Sequence, residues 1–254
     1  MSTIAFSGRS VIVTGGGSGI GRAAAVRFAE QGASVLIADI NADGAKDVAA
    51  QIEAAGGIAR TVVGDLSDPA VVEQVTARAI SEFGRIDVLV NNAGIMDDMS
   101  AAADVSDAVW ERVLRINLTA PFLLTRAVLP YMLDAGRGSI VFTASEASLR
   151  GSAAGAAYTV SKHGISGLTK SLAVMYRDKG IRANAVAPGG TATGIQVDAA
   201  EGAHGPAVVG SYFGNVGRPA AAEEQADAIV FLASDAASNI SGAILPVDNG
   251  WSAV

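Results

Sequence analysis

The chain has 254 residues, half of them hydrophobic and 17% charged, with no cysteine and a formal net charge of −7. That length buries a sizeable core in one α/β domain, while the missing cysteines exclude disulfides, thiolate nucleophiles and cysteine zinc sites. An acidic balance without a Lys/Arg cluster argues against nucleic acid as a partner.

Taken in chain order, short apolar runs alternate with longer helical stretches. The runs at 10–14, 34–38, 59–63, 86–90, 139–143, 181–187 and 243–247 are apolar on consecutive residues. This is the pattern of strands covered on both faces, as in a parallel sheet. Between them, 20–31, 41–55, 69–83, 106–133, 156–179 and 223–234 carry helical sequence. The alternation predicts one doubly wound α/β domain of Rossmann type over 1–254, with a central, mainly parallel sheet. The segment 189–219, rich in Gly and Ala, reads as a long loop, with 190–218 as a substrate lid. The apolar runs are broken by Gly, Pro or charge, and none approaches the ~20 residues of a bilayer span. Residues 1–9 lack an apolar stretch behind a basic start, so a cytoplasmic chain with no membrane partner is expected.

The turn Thr14-Gly15-Gly16-Gly17-Ser18-Gly19-Ile20-Gly21 joins the first strand to the first helix. Gly15, Gly19 and Gly21 fit G-x-x-x-G-x-G rather than G-x-G-x-x-G, and Arg22-Ala23 stands where a P-loop requires Lys-Ser/Thr. Such a turn lets a pyrophosphate approach the backbone and meet the helix N–H groups; a flexible turn without a ligand is the plainer reading of the glycines alone. Asp39 lies 20 residues after Gly19, at the end of the second strand. A carboxylate there reads ribose hydroxyls and repels a 2′-phosphate, although a helix cap is an ordinary role for Asp. Ile40 and Asn41 follow it and Ser18 leaves the turn without a base, so NAD is expected over NADP.

Tyr158 and Lys162 are four apart in helical sequence and share a face. An ammonium beside a phenol is expected to lower its pKa and ready it for proton exchange. Taken alone, such pairs are mostly surface neighbours. This pair comes in sequence with the glycine turn, Asn91-Asn92-Ala93-Gly94, Asn117, Ser145 and Pro188-Gly189, and in that order the chain resembles the short-chain dehydrogenases/reductases over residues 8–251. The resemblance implies an oxidoreductase that moves a hydride between nicotinamide and an alcohol or ketone carbon. It makes Tyr158 the acid/base, Lys162 its electrostatic partner and ribose ligand, Ser145 the donor to the substrate oxygen, and Asn117 the holder of a relay water. It assigns to the cofactor Gly15, Ser18, Gly19, Ile20, Gly21, Asp39, Ile40, Asp65, Leu66, Asn91, Ala93 and Gly94, together with Pro188, Gly189, Thr191 and Thr193. A homotetramer paired through helices 106–133 and 156–179 also follows from it.

Several residues stand apart from the family pattern. Glu146 follows Ser145 and reads either as a contact to a polar substrate or as a solvated acid. Asn249 replaces a glycine in Val247-Asp248-Asn249-Gly250, and Asn tolerates positive φ. Asp97-Asp98 reads as an exposed loop pair, and no metal set is expected. Met96, Glu146, Leu149, Tyr212 and the 190–218 segment are candidate substrate walls. His163 and His204 do not make a hydrolase, since Ser145 lacks a G-x-S-x-G setting. Two other readings compete. One is a 3-oxoacyl carrier-protein reductase-like enzyme, disfavoured by Asp39. The other is a cofactor-binding regulator without turnover, disfavoured by Ser145, Tyr158 and Lys162.

Overall fold

Successive residues of a strand point to opposite faces, and here both faces are covered, which explains the unbroken apolar runs. The computed structural model describes residues 5–195, 197–199 and 203–254. Its strands are β1 (Ser10–Thr14), β2 (Ser34–Asp39), β3 (Ile58–Val63), β4 (Val88–Asn91), β5 (Gly138–Thr143), β6 (Ile181–Pro188) and β7 (Ile244–Val247). Its α-helices are α1 (Gly19–Glu30), α2 (Ala42–Ala54), α3 (Pro69–Phe83), α4 (Asp107–Leu114), α5 (Ala120–Asp134), α6 (Ala156–Met175), α7 (His204–Gly210) and α8 (Ala222–Ala233). Val11, Val13, Val35 and Ile37 pack with Phe28 of α1 and Ile229 of α8. Ile12, Leu36, Leu89 and Ile140 face the other way, against Val75 of α3, Leu124 of α5 and Ile165 of α6.

The sheet order is β3-β2-β1-β4-β5-β6-β7. Every recorded pair is parallel, so the sheet is wholly parallel across the described residues rather than mainly so. The chain winds outward from β1 to β3, then returns to add β4 on the other side of β1. At that reversal the flanking connections diverge and leave a crevice at the carboxyl ends of the strands. Polar side chains lock the rim. The Thr14 hydroxyl accepts from the amides of Asn92 (2.9 Å) and Ala93 (3.0 Å); Asn92 Nδ2 donates to the Thr14 carbonyl (3.1 Å), and Thr143 donates to Asn92 Oδ1 (3.1 Å).

Two stretches differ from the sequence expectation. The helix expected over 106–133 is α4 and α5 joined by one π-helical turn, Arg115–Thr119. The extra residue of such a bulge re-aims side chains, and Asn117, buried, sits within it. The continuous run Asp107–Asp134 is also long and apolar enough to cross a membrane by length and composition. Its buried apolar residues instead pack on α3, α6 and the sheet. The segment 190–218 is not a structureless loop: it holds α7, one 3-10 turn at Phe213–Asn215, and a bridge from Thr191 to Ala220. Gly and Ala concealed the helix, and Pro206 is compatible with it because it lies in the first turn, where its missing N–H is not needed. Positions 196 and 200–202 of the expected lid lie outside the described residues.

One arginine ties the last helix to the sheet. Arg182 of β6 donates to the carbonyls of Leu232, Ala233 and Ser234 at the end of α8, to the Ile240 carbonyl, and to the Ser139 hydroxyl. The Leu232 and Ala233 carbonyls are among the orphan acceptors that a helix end leaves. Arg182→Met should therefore lower stability by about 3 kcal/mol, seen as a lower urea midpoint with unchanged slope. An unchanged midpoint would show that water satisfies these carbonyls.

Candidate active site

The crevice opens into a cavity of about 640 Å³. One end is built by the glycine turn. Gly15 (φ +61°) and Gly19 (φ +50°) adopt the left-handed conformation that favours glycine. A Cβ on Gly15 would stand 2.9 Å from Ala93 Cα. Gly21 lies behind the wall, where a Cβ would strike the Gly15 carbonyl, so its role is to let α1 settle on the turn. Ser18, the N-cap of α1, makes no side-chain capping bond, and the first turn has no acidic residue. The helix therefore presents unpaired N–H donors and positive dipole to the cavity, a cradle for an anion. Asp39 closes this end: its Oδ2 accepts from the Gly17 amide and its Oδ1 from the Asn41 amide, both at 2.8 Å. Asp65, held below the usual carboxylate range chiefly by hydrogen bonds from Ser67, joins Leu66 and Ile40 on the wall.

The other end holds the titratable groups. Lys162 donates from Nζ to the Thr143 carbonyl (2.9 Å), and the same nitrogen stands 5.4 Å from the Tyr158 ring centre. Both side chains are buried. Burial pushes the phenol up to about 12, opposed by a hydrogen bond with the Ser145 hydroxyl and reinforced by the Asp97 charge. It pushes the lysine down to about 8. The phenol thus stands above its ordinary value, not below it as the Tyr158–Lys162 spacing predicts, because burial disfavours the charged form of each group. Asn117 sits behind the wall as a clamp. It accepts from the Ile95 amide, donates to the Ile95 carbonyl (both 2.8 Å), and donates to Ser161 Oγ (3.2 Å).

Of the residues singled out from sequence, Gly15, Ser18, Gly19, Ile20, Asp39, Ile40, Asp65, Leu66, Asn91, Ala93, Gly94, Ser145, Tyr158, Lys162, Pro188, Gly189, Thr191 and Thr193 line one cavity. Gly21 and Asn117 support it from behind. Met96 is on the wall; Glu146, Leu149 and Tyr212 are not. Glu146 is neither solvated nor at the cavity surface. It is 1% exposed, ion-paired with Arg150 and set against Asp248, and burial pushes its pKa up. Asp97 is not an exposed loop acid: it is 3% exposed and hydrogen-bonded to three backbone amides. Asn249 does adopt φ +55°. Sequence reasoning left out Gln225, fully buried, which donates to Thr191 Oγ1 (3.3 Å) and the Val247 carbonyl (2.8 Å) and so braces one cavity segment. No local motif marks it, since its partners lie 34 and 22 residues away.

A glycine cradle at a helix N-terminus, Asp39 beside it, and Ser145 against the buried Tyr158 and Lys162 at the other end of one crevice are the arrangement of a nucleotide-dependent oxidoreductase site. Comparison with known proteins agrees. The family model described as short chain dehydrogenase matches residues 9–203. The chain is 43% identical over 250 residues to cis-4-hydroxycyclohexanecarboxylate dehydrogenase of Sinomonas cyclohexanicum, covering 98% of this chain and 99% of the relative. It is 40% identical over 249 residues to 3beta-hydroxysteroid dehydrogenase 2 of Eggerthella lenta, covering 97% and 96%. The crystal structure of levodione reductase superposes with a TM-score of 0.90 at 36% identity, over 98% of this chain and 99% of that one. The chain belongs to the short-chain dehydrogenase/reductase family, and with it to the oxidoreductases that interconvert secondary alcohols and ketones.

The buried lysine carries a thermodynamic consequence. Its pKa is about 8 folded against 10.5 ordinarily. The folded state therefore binds fewer protons between these values, and stability contributed by this group rises with pH across that window. At neutral pH the buried ammonium costs about 3 kcal/mol, partly offset by its bond to Thr143, worth about 1 kcal/mol. Lys162→Met should gain about 2 kcal/mol in urea unfolding at pH 7, with the gain shrinking as pH rises from 8 towards 10.5. A variant less stable than wild type at both ends of the window would contradict this.

Proposed function

We propose that this enzyme moves a hydride between NAD(H) and a secondary alcohol or ketone carbon carried on a ring, with Tyr158 exchanging the proton. The observation that carries the reading is the single cavity joining the Gly15–Gly19 cradle to the Ser145–Tyr158–Lys162 group. The cradle suits a dinucleotide, since its open N–H groups suit a pyrophosphate and Asp39 suits ribose hydroxyls. When bound, the nicotinamide cofactor supplies the hydride donor or acceptor.

The chain's own residues supply the rest. A phenol held protonated by burial is the proton donor that ketone reduction needs at the substrate oxygen. Ser145, hydrogen-bonded to that phenol, gives the same oxygen a second donor and stabilises developing negative charge. In the oxidation direction the same phenol, once ionised, takes the alcohol proton, with the Lys162 nitrogen 5.4 Å from its ring centre. Asn117 holds the Ile95 backbone and, through Ser161, the helix that carries both side chains.

Ring substrates are suggested by the relatives named for hydroxysteroid, hydroxycyclohexanecarboxylate and cyclohexanol oxidation. Met96, Ile95 and Ile195 give the cavity apolar wall suited to such rings. Segment 190–218 is the proposed lid: Ile195, Val197, Tyr212 and Phe213 are all exposed and free to cover a substrate. Exposed Phe122, Tyr131 and Leu133 of α5 and Val160, Val174 and Met175 of α6 support a homotetramer formed through these helices. We place the enzyme in the cytoplasm. A structural relative described as a putative NAD(P) dependent gluconate 5-dehydrogenase from Beutenbergia cavernae, 40% identical over 98% of this chain and 99% of its own (TM-score 0.85), holds NADP at low occupancy. Asp39 favours NAD here because no lysine or arginine follows it.

Tyr158→Phe should lower kcat by at least about 1,000-fold on a panel of cyclohexanols, hydroxysteroids and polyols, with NADH binding by fluorescence retained. Turnover within tenfold of wild type would remove Tyr158 from the chemistry. Asp39→Ala should shift the NAD/NADP ratio of kcat/KM towards NADP by about tenfold or more; an unchanged ratio would remove its ribose-reading role.

A further inference from the structure

Asp97 is a buried carboxylate that the family roles leave without a function. No cation pairs with it among the described ion pairs; three backbone amides serve it instead. Its Oδ1 accepts from Met99 (3.1 Å) and Gly155 (3.2 Å), and its Oδ2 accepts from Tyr158 (2.9 Å). Gly155 is the N-cap of α6 and has no side chain with which to cap. The capping acceptor comes instead from a loop 58 residues earlier, where the helix dipole stabilises its charge. The fit is close on both sides. A Cβ on Gly155 would stand 2.6 Å from Asp97 Oδ2 and 2.7 Å from Met99 C. Met99 itself is held at φ +61°, a left-handed conformation that disfavours a non-glycine residue. Next in the loop, the Ser100 carbonyl accepts from the Ala156 amide (3.0 Å). Residues 97–100 thus hold the amides of Gly155, Ala156 and Tyr158, the turn from which the reactive phenol projects.

We propose that Asp97 is a positioning residue for proton transfer: it fixes the first turn of α6, and with it the placement of the Tyr158 hydroxyl against Ser145. This deepens the proposed function and rests on its assignment of Tyr158. The charged groups recorded against Tyr158 are Lys162, over its ring, and Asp97, at its amide. Removing the Asp97 charge removes an influence that disfavours the phenolate.

The test uses Asp97→Asn and Gly155→Ala in the full-length enzyme. Asp97→Asn lacks the charge and one of the amide acceptors. Gly155→Ala keeps the charge but pushes a methyl against the carboxylate. Asp97→Asn is expected to lower kcat about 10- to 100-fold while the substrate KM and the NADH dissociation constant stay within about twofold. Gly155→Ala is expected to lower kcat without moving the phenol's titration. A second readout is independent of turnover: ultraviolet titration of tyrosinate, taken as the difference between each protein and the same protein carrying Tyr158→Phe. The Tyr158 component should ionise at lower pH in Asp97→Asn, and the pH profile of alcohol oxidation should move to lower pH with it. An Asp97→Asn enzyme with kcat within twofold of wild type, or a Tyr158 titration that does not move, overturns the proposal. If Asp97→Asn does not fold, Gly155→Ala with wild-type kcat overturns it alone. If Tyr158→Phe retains turnover, the functional assignment fails, and the titration still reads whether Asp97 governs the phenol.

Discussion

The site depends on three strand ends staying apart by a fixed amount. β1, β4 and β5 run parallel and side by side, and beyond their last ladder bonds their backbones must diverge to leave the crevice. Thr14, Asn92 and Thr143 set that divergence, each hydrogen-bonding to a neighbouring strand end rather than to solvent. Asn92 also reaches the Gly15 carbonyl (3.4 Å), so the glycine turn is tied to the same lock. Gly94, two residues on, packs near both Asn117 and Lys162. The glycine turn and the Ser145–Tyr158–Lys162 end of the cavity are therefore parts of one hydrogen-bonded framework.

Charge burial is concentrated at this end of the sheet. Asp97 and Lys162 are buried against Tyr158, and Glu146 is buried against Asp248. Isolated, each would cost several kcal/mol. The protein reduces the cost in different ways: backbone amides for Asp97, Arg150 for Glu146, and for Lys162 a carbonyl acceptor and a pKa lowered by burial. Tyr158 and Lys162, the two strongly perturbed groups that line the cavity, carry the functional signature.

Local pattern made much of this legible. Consecutive apolar residues gave all seven strands to within two residues, because both faces of a parallel sheet exclude water. The glycine turn and the Tyr158–Lys162 spacing are contiguous in sequence and could be read directly. Burial of acids could not, because Asp97 looks like any loop aspartate until a helix 58 residues later settles on it. Glu146 is similar, since its neighbour Asp248 arrives from the far end of the chain. The π turn at Arg115–Thr119 leaves no periodic mark, as one extra residue is lost within a long apolar helix. α7 was missed for a compositional reason, its glycines and alanines being as common in loops as in short helices.

The cavity wall takes its residues from positions 14 to 198 and from the ends of β1, β2, β4, β5 and β6. The lining is complete only once the strands from β1 to β6 are assembled, so a ligand bound there stabilises that assembled sheet. Each tenfold rise in free dinucleotide above its dissociation constant then adds about 1.4 kcal/mol to the whole domain. Occupancy of this cavity therefore lowers how often the folded domain opens, and with it the exposure of its backbone to proteases.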